Sequence, residues 1–171
     1  PAGVPARSQP DLGAISPNGR FVSFSSYATN LAGGPFASRV YVHDRVTLAT
    51  SSVPLPVLNA VTATGCREND VADDGVVVLT CFFGSGLFDQ VYLHIPGAAG
   101  TPFLISSDIN DVAGNQVSGT RVAIDASGLS MIFDSLASNL VGNDFNGVSD
   151  SFILIDEGIL EGDHIVVEER P

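Results

Sequence analysis

The chain has no lysine and no tryptophan, and only two cysteines and one methionine among 171 residues. Seven arginines supply every fixed positive side-chain charge against 19 aspartates and glutamates, for a net charge of −12. That balance argues against nucleic acid as a partner, because phosphate binding needs a basic footprint. The same ground argues against anionic membrane surfaces. The missing tryptophan removes a common sugar-stacking platform. Charged residues reach only 15%, against about 25% in average soluble domains. The longest apolar run, residues 75–84, is far short of the roughly 20 residues of a membrane-spanning helix. No signal-peptide pattern is visible, and a chain that begins at Pro1 rather than Met reads as having a processed N-terminus.

Catalytic signatures are absent too. There is no G-x-S-x-G nucleophile elbow, no phosphate-binding loop and no G-x-G-x-x-G fingerprint. His43 and His94 follow Tyr41 and Tyr92 at equivalent places, which repetition explains better than catalysis. His164 lies late in the chain beside Asp163. The carboxylates Asp11, Asp44, Asp73, Asp74, Asp125 and Asp156 fall mostly at turns, and no acid–base pair can be read from them.

What is present is glycine and proline, 18 and 10 residues, many beside Asn, Asp and Ser. Such turn formers mark a chain of many short elements. Apolar residues make up 44% and mean hydropathy is +0.29, so a large share of the surface is buried, some of it against other chains. The acidity reads as solubility, with cation binding or a salty habitat as the other readings.

An internal repeat organises the sequence. Residues 14–24 (AISPNGRFVSF) match residues 123–133 (AIDASGLSMIF), and an Asn-Leu pair follows each turn glycine at the same offset: Asn30-Leu31 after Gly19, and Asn139-Leu140 after Gly128. A third copy, Val71 to Cys81, turns at Asp73-Asp74-Gly75. Each copy continues into two further apolar segments. These are Val40–Asp44 and Leu48–Val53, Val91–His94 and Thr101–Ser107, and Phe152–Asp156 and His164–Glu168. Asn-Gly and Asp-Gly suit hairpins because the turn needs positive φ. Consecutive apolar residues from Val76 to Leu79 mean burial on both faces of a strand. The expected fold is all-β: three four-stranded antiparallel units over about 10–53, 66–107 and 120–168, within one domain spanning 1–171.

The pattern resembles the TolB-type β-propeller repeat, with its A-I-S-x-D-G-R-x-V-A-F copies, Asn-Leu loop and following D-V-F-V-x-D strand. The segment Gly142 to Asp150 is similar to the family's G-D-x-N-G-x-x-D loop. The second copy lacks the Asn-Leu loop. The resemblance implies propeller blades, here a partial propeller or half of a six-bladed ring, in a periplasmic or extracellular protein. It implies architecture more than activity.

Two site expectations follow from the residues. Cys66 and Cys81 lie almost symmetrically about the turn at Asp73-Asp74, so they should face each other across a hairpin within reach of a disulfide. Two buried free thiols are the other reading. Asp144, Asn146 and Asp150 form D-x-N-G-x-x-D, a spacing of oxygen ligands that suits Ca²⁺. Asp and Asn in such a loop equally bond the local backbone. The functional expectation is a non-catalytic module for protein binding or assembly. Three blades do not close a ring, so association is expected, as a homodimer or as a subunit of a larger assembly. The alternative is a hydrolase or carbohydrate-binding propeller with its site at a central channel.

Overall fold

A computed structural model describes residues 10–28, 30–31, 37–84, 86–98, 100–142, 144, 146–155 and 166–170, with side chains at 10–12 and 166–170 left aside. The described residues are all-β and form three four-stranded antiparallel sheets and one two-stranded sheet. The first sheet holds β1 (Pro10–Ile15), β2 (Phe21–Ser26), β3 (Arg39–Asp44) and β4 (Ala49–Ser52) in chain order. A short hairpin, β5 (Val57–Leu58) and β6 (Val61–Thr62), follows. The second sheet runs β7 (Gly65–Val71), β8 (Val77–Phe82), β9 (Gln90–His94) and β10 (Phe103–Leu104). The third runs β11 (Ser118–Ile124), β12 (Ser130–Ser135), β13 (Asp150–Ile155) and β14 (Val166–Arg170). Each sheet is thus a simple meander, and the strands sit where the repeat places them.

The turn chemistry explains the first hairpin of each sheet. Gly19, Gly75 and Gly128 all have positive φ, at 71°, 91° and 77°, the region that a Cβ disfavours. The second turn differs in length. Ser16 N–H bonds to Phe21 O and Asp125 N–H to Ser130 O, but Ala72 N–H bonds to Val76 O. The second hairpin therefore closes one residue sooner. By register, Val76, Val77, Val78 and Leu79 correspond to Phe21, Val22, Ser23 and Phe24, and to Ser130, Met131, Ile132 and Phe133.

This correspondence sets how the sheets stack. Side chains alternate across a strand. Val76 and Val78 belong to the core shared with the third sheet, together with Leu93, Met131, Phe133 and Phe152. Val77, Leu79 and Cys81 belong to the core shared with the first sheet, together with Phe21, Val40 and Val42. The middle sheet is buried on both faces, as its unbroken apolar run requires. Equivalent faces point the same way throughout. The Phe21/Ser23 face of the first sheet meets the Val77/Leu79 face of the second, and the Val76/Val78 face of the second meets the Met131/Phe133 face of the third.

The first strands come together. β7 lies against β1 and β2 on one side and against β11 on the other. All three carry a register shift, between Pro10 and Gly13, between Arg67 and Asn69, and between Ser118 and Val122. Such bulges bend a strand and increase its twist. Between sheets, Ser38 O accepts from Cys66 N–H at 2.8 Å, and Thr80 Oγ1 donates to Gly119 O at 2.7 Å. At the turns, Asn18 N–H donates to Asp73 Oδ1 at 2.7 Å and Asp73 N–H to Ala126 O at 3.0 Å.

Candidate functional site

The stack has two end faces, and their composition follows from the register. In the second sheet, Val78 and Leu93 lie side by side on the face toward the third sheet, 0% and 2% exposed. The equivalent pair in the third sheet is Ile132 and Ile153. Ile132 is 51% exposed there and Ile153 is half-buried. Ile155, two residues along the same face, is also exposed. A row that the next sheet buries in the second sheet is therefore open in the third.

The other end carries the complementary face. Leu79 with Tyr92, and Phe133 with Phe152, are cross-strand pairs covered by the preceding sheet. The equivalent pair in the first sheet is Phe24 with Tyr41, rings stacked at 5.5 Å, just as Phe133 and Phe152 stack at 5.5 Å. No described sheet precedes it. Tyr41 is buried, Val22 and Phe24 are half-buried, and Ile15 on the same face is exposed.

Cys66 and Cys81 are opposed in the register and joined in a disulfide, with Cα atoms 4.0 Å apart. Both are almost fully buried. Such a bond is compatible with an oxidising compartment, where most disulfides form and persist.

In the loop before β13, Asn146 donates through Nδ2 to both carboxylate oxygens of Asp150, at 3.0 and 3.1 Å. Asn146 Oδ1 accepts from Val148 N–H at 2.9 Å. Asp144 and Asp150 are both buried, and Asp144 Oδ1 has no hydrogen-bond partner. Asn146 and Asp150 are thus brought together, while no hydrogen bond ties Asp144 to either. Among the described residues, no group of three or more His, Cys, Asp or Glu side chains is placed to hold a metal ion.

Among the described side chains, Asp44, Asp74 and Asp125 are engaged locally. The Arg20 guanidinium forks onto Asp44 at 2.8 and 3.1 Å and, against slight desolvation, holds its carboxyl well below the usual range. Asp125 is opposed by burial, but hydrogen bonds from Ser127 and from the Ser130, Leu129 and Gly128 backbone outweigh it and lower its pKa. Asp74 caps Val76 N–H at 3.0 Å. His164, Asp156 and the side chain of Asp11 lie outside what is described.

His43 and His94 occupy corresponding register positions, opposite Val22 and Val77. His43 Nδ1 sits 2.9 Å from Thr50 Oγ1. Burial lowers the pKa of His94 below the ordinary histidine value. The unfolded chain then binds the proton at higher pH than the folded one. This contribution to stability is complete above about pH 6.5 and is lost as pH falls through the folded value. Urea unfolding on either side of that value should show a lower midpoint on the acid side, and His94→Gln should flatten the difference. An unchanged slope in His94→Gln would assign the acid sensitivity elsewhere.

The sequence reading did not single out Ile132, Ile153, Val22 or Phe24. Nor did it single out Asn69, whose side-chain Oδ1 and Nδ2 are buried without partners in register with Leu79. Residue types do not alternate along β2 (FVSFSS) or β12 (SMIFDS), so the division of their side chains between two faces emerges only once neighbouring sheets are placed. No protein-family model and no curated protein matches this chain.

Proposed function

We propose that the chain is a run of three TolB-type propeller blades serving as a non-catalytic, extracytoplasmic module for protein binding or assembly. The observation that carries this reading is the head-to-tail order of equivalent faces. It leaves an apolar row open at one end and an aromatic pair without a covering sheet at the other. Blades of a propeller stack in this order around an axis lined by their first strands, which matches the gathering of β1, β7 and β11. Exposed contiguous apolar surface marks an interaction site on a soluble protein. The disulfide supports a periplasmic or extracellular setting. Light scattering on the purified chain tests the reading. A monodisperse 17.7 kDa species that binds no hydrophobic dye would show the end faces to be covered internally, and would overturn it.

A second element of the proposal is Ca²⁺ at Asp144, Asn146 and Asp150. It is favoured by the buried, unpartnered Oδ1 of Asp144, since a buried carboxylate needs a compensating charge. Binding only the folded state stabilises it. Adding millimolar Ca²⁺ to chelator-treated protein should raise the melting temperature, and Asp144→Asn should remove the rise. Identical curves with and without Ca²⁺ would reject the site.

A further inference from the structure

We infer that the surface completing the stack is a second copy of this chain, with the open face of each third sheet packed on the face of the other copy's first sheet that no described sheet covers. This rests on the blade reading above and names its partner.

The argument is continuity with an interface the chain already builds twice. The Val78/Leu93 row is covered by the Met131/Phe133 side of the next sheet. What fits Ile132 and Ile153 is therefore a surface of that same type, an aliphatic residue beside a cross-strand ring pair. Among the described residues, one such surface has no preceding sheet over it: Val22 beside Phe24 and Tyr41, at the far end of the stack. It cannot reach the third sheet of its own copy with the second sheet lying between them. A second copy supplies both missing halves at once. A two-fold rotation then makes two identical heterologous contacts, and six sheets close with no face left open.

The charge pattern fits this mode. The net charge of −12 per copy opposes association over long range, while the cross-strand pair Ile132 and Ile153 at the centre of the open row is itself uncharged. On the third sheet Asp134 is occupied by Thr120 Oγ1 and Arg121 N–H. Added salt screens the repulsion and leaves apolar contact intact, so dimerisation strengthens with ionic strength.

The test is sedimentation or light scattering of the full 171-residue chain. The expected mass is twice 17.7 kDa at micromolar concentration, rising toward complete dimer with salt. Ile132→Lys and Val22→Asp should each give monomer. Circular dichroism checks that each variant stays folded, and Ile132 is the safer position because it is half-exposed within a single copy. Mixing the two variants should restore a heterodimer through the one interface that remains unaltered. A dimer broken by Ile132→Lys but indifferent to Val22→Asp would mean that third sheets pack on each other, and would overturn the head-to-tail arrangement. A wild-type monomer that binds a hydrophobic dye would overturn the second copy as occupant while leaving the binding-module reading standing. A monomer that binds no dye would overturn both.

Discussion

Gly119→Ala is expected to destabilise the fold by about 2–5 kcal/mol, combining a left-handed backbone cost of about 1–2 kcal/mol with overpacking of about 1–3 kcal/mol. Gly119 has φ +77°, and a Cβ there would clash with both Thr80 Oγ1 and Val91 Cγ2. It sits in the register-shifted stretch of β11 where that strand passes over the second sheet. Thr80 cannot simply rotate away, because its hydroxyl donates to Gly119 O at 2.7 Å. Gly86 provides the control. It has φ +80° but nothing within 4 Å of its would-be Cβ. Gly86→Ala should therefore show only the backbone cost of about 1–2 kcal/mol. The gap between the two variants in urea unfolding measures the packing of second sheet on third. Equal losses would mean that this interface is loose.

The double variant Cys66→Ala, Cys81→Ala should lose about 3 kcal/mol, the loop-closure value for a cross-link spanning about 15 residues. The actual separation is 15 residues. At this chain length that corresponds to a melting temperature lower by about 6–12 °C. Both positions are buried in the core between the first two sheets, so the lost sulfur atoms add a small packing cost. Reduction of the wild type under gentle denaturation should reproduce most of the drop. The double variant removes both partners, because a single change would leave an unpaired thiol in the core. Oxidised wild type and double variant melting together would show that the bond contributes nothing to stability.

Much of this architecture was legible in the residues. Turn glycines at 19, 75 and 128 announced three hairpins, and positive φ at each is the reason glycine stands there. The run Val76–Leu79 announced a sheet covered twice, and the symmetric placement of Cys66 and Cys81 announced their pairing. Other features were hidden for physical reasons. The hairpin β5–β6 has two-residue strands, too short to show a period, and turns on Asn59 and Ala60 at φ 49° and 63° without a glycine. The shortened second turn could not be seen by aligning glycines. That alignment matches Val77 with Phe21, whereas the hydrogen bonds match Val76 with Phe21. A slip of one residue exchanges the two faces of a strand, so the direction of stacking had to come from the structure. The open row at Ile132 and Ile153 was invisible for the same reason, since an exposed isoleucine and a buried one look alike in sequence.

The unlike character of the two end faces gives the stack a polarity, as a magnet has. Objects that join unlike ends have no inherent last member. Whether they form rings or filaments depends on the angle turned at each contact. Here that angle is set by the twist of each sheet and the bulges in β1, β7 and β11. A change that altered one of these bulges while leaving the two end faces intact would spoil closure of the proposed ring. Its product would be a growing fibre rather than a dissociated monomer. Such a lesion would register as turbidity that increases with protein concentration, with little early loss of β-structure.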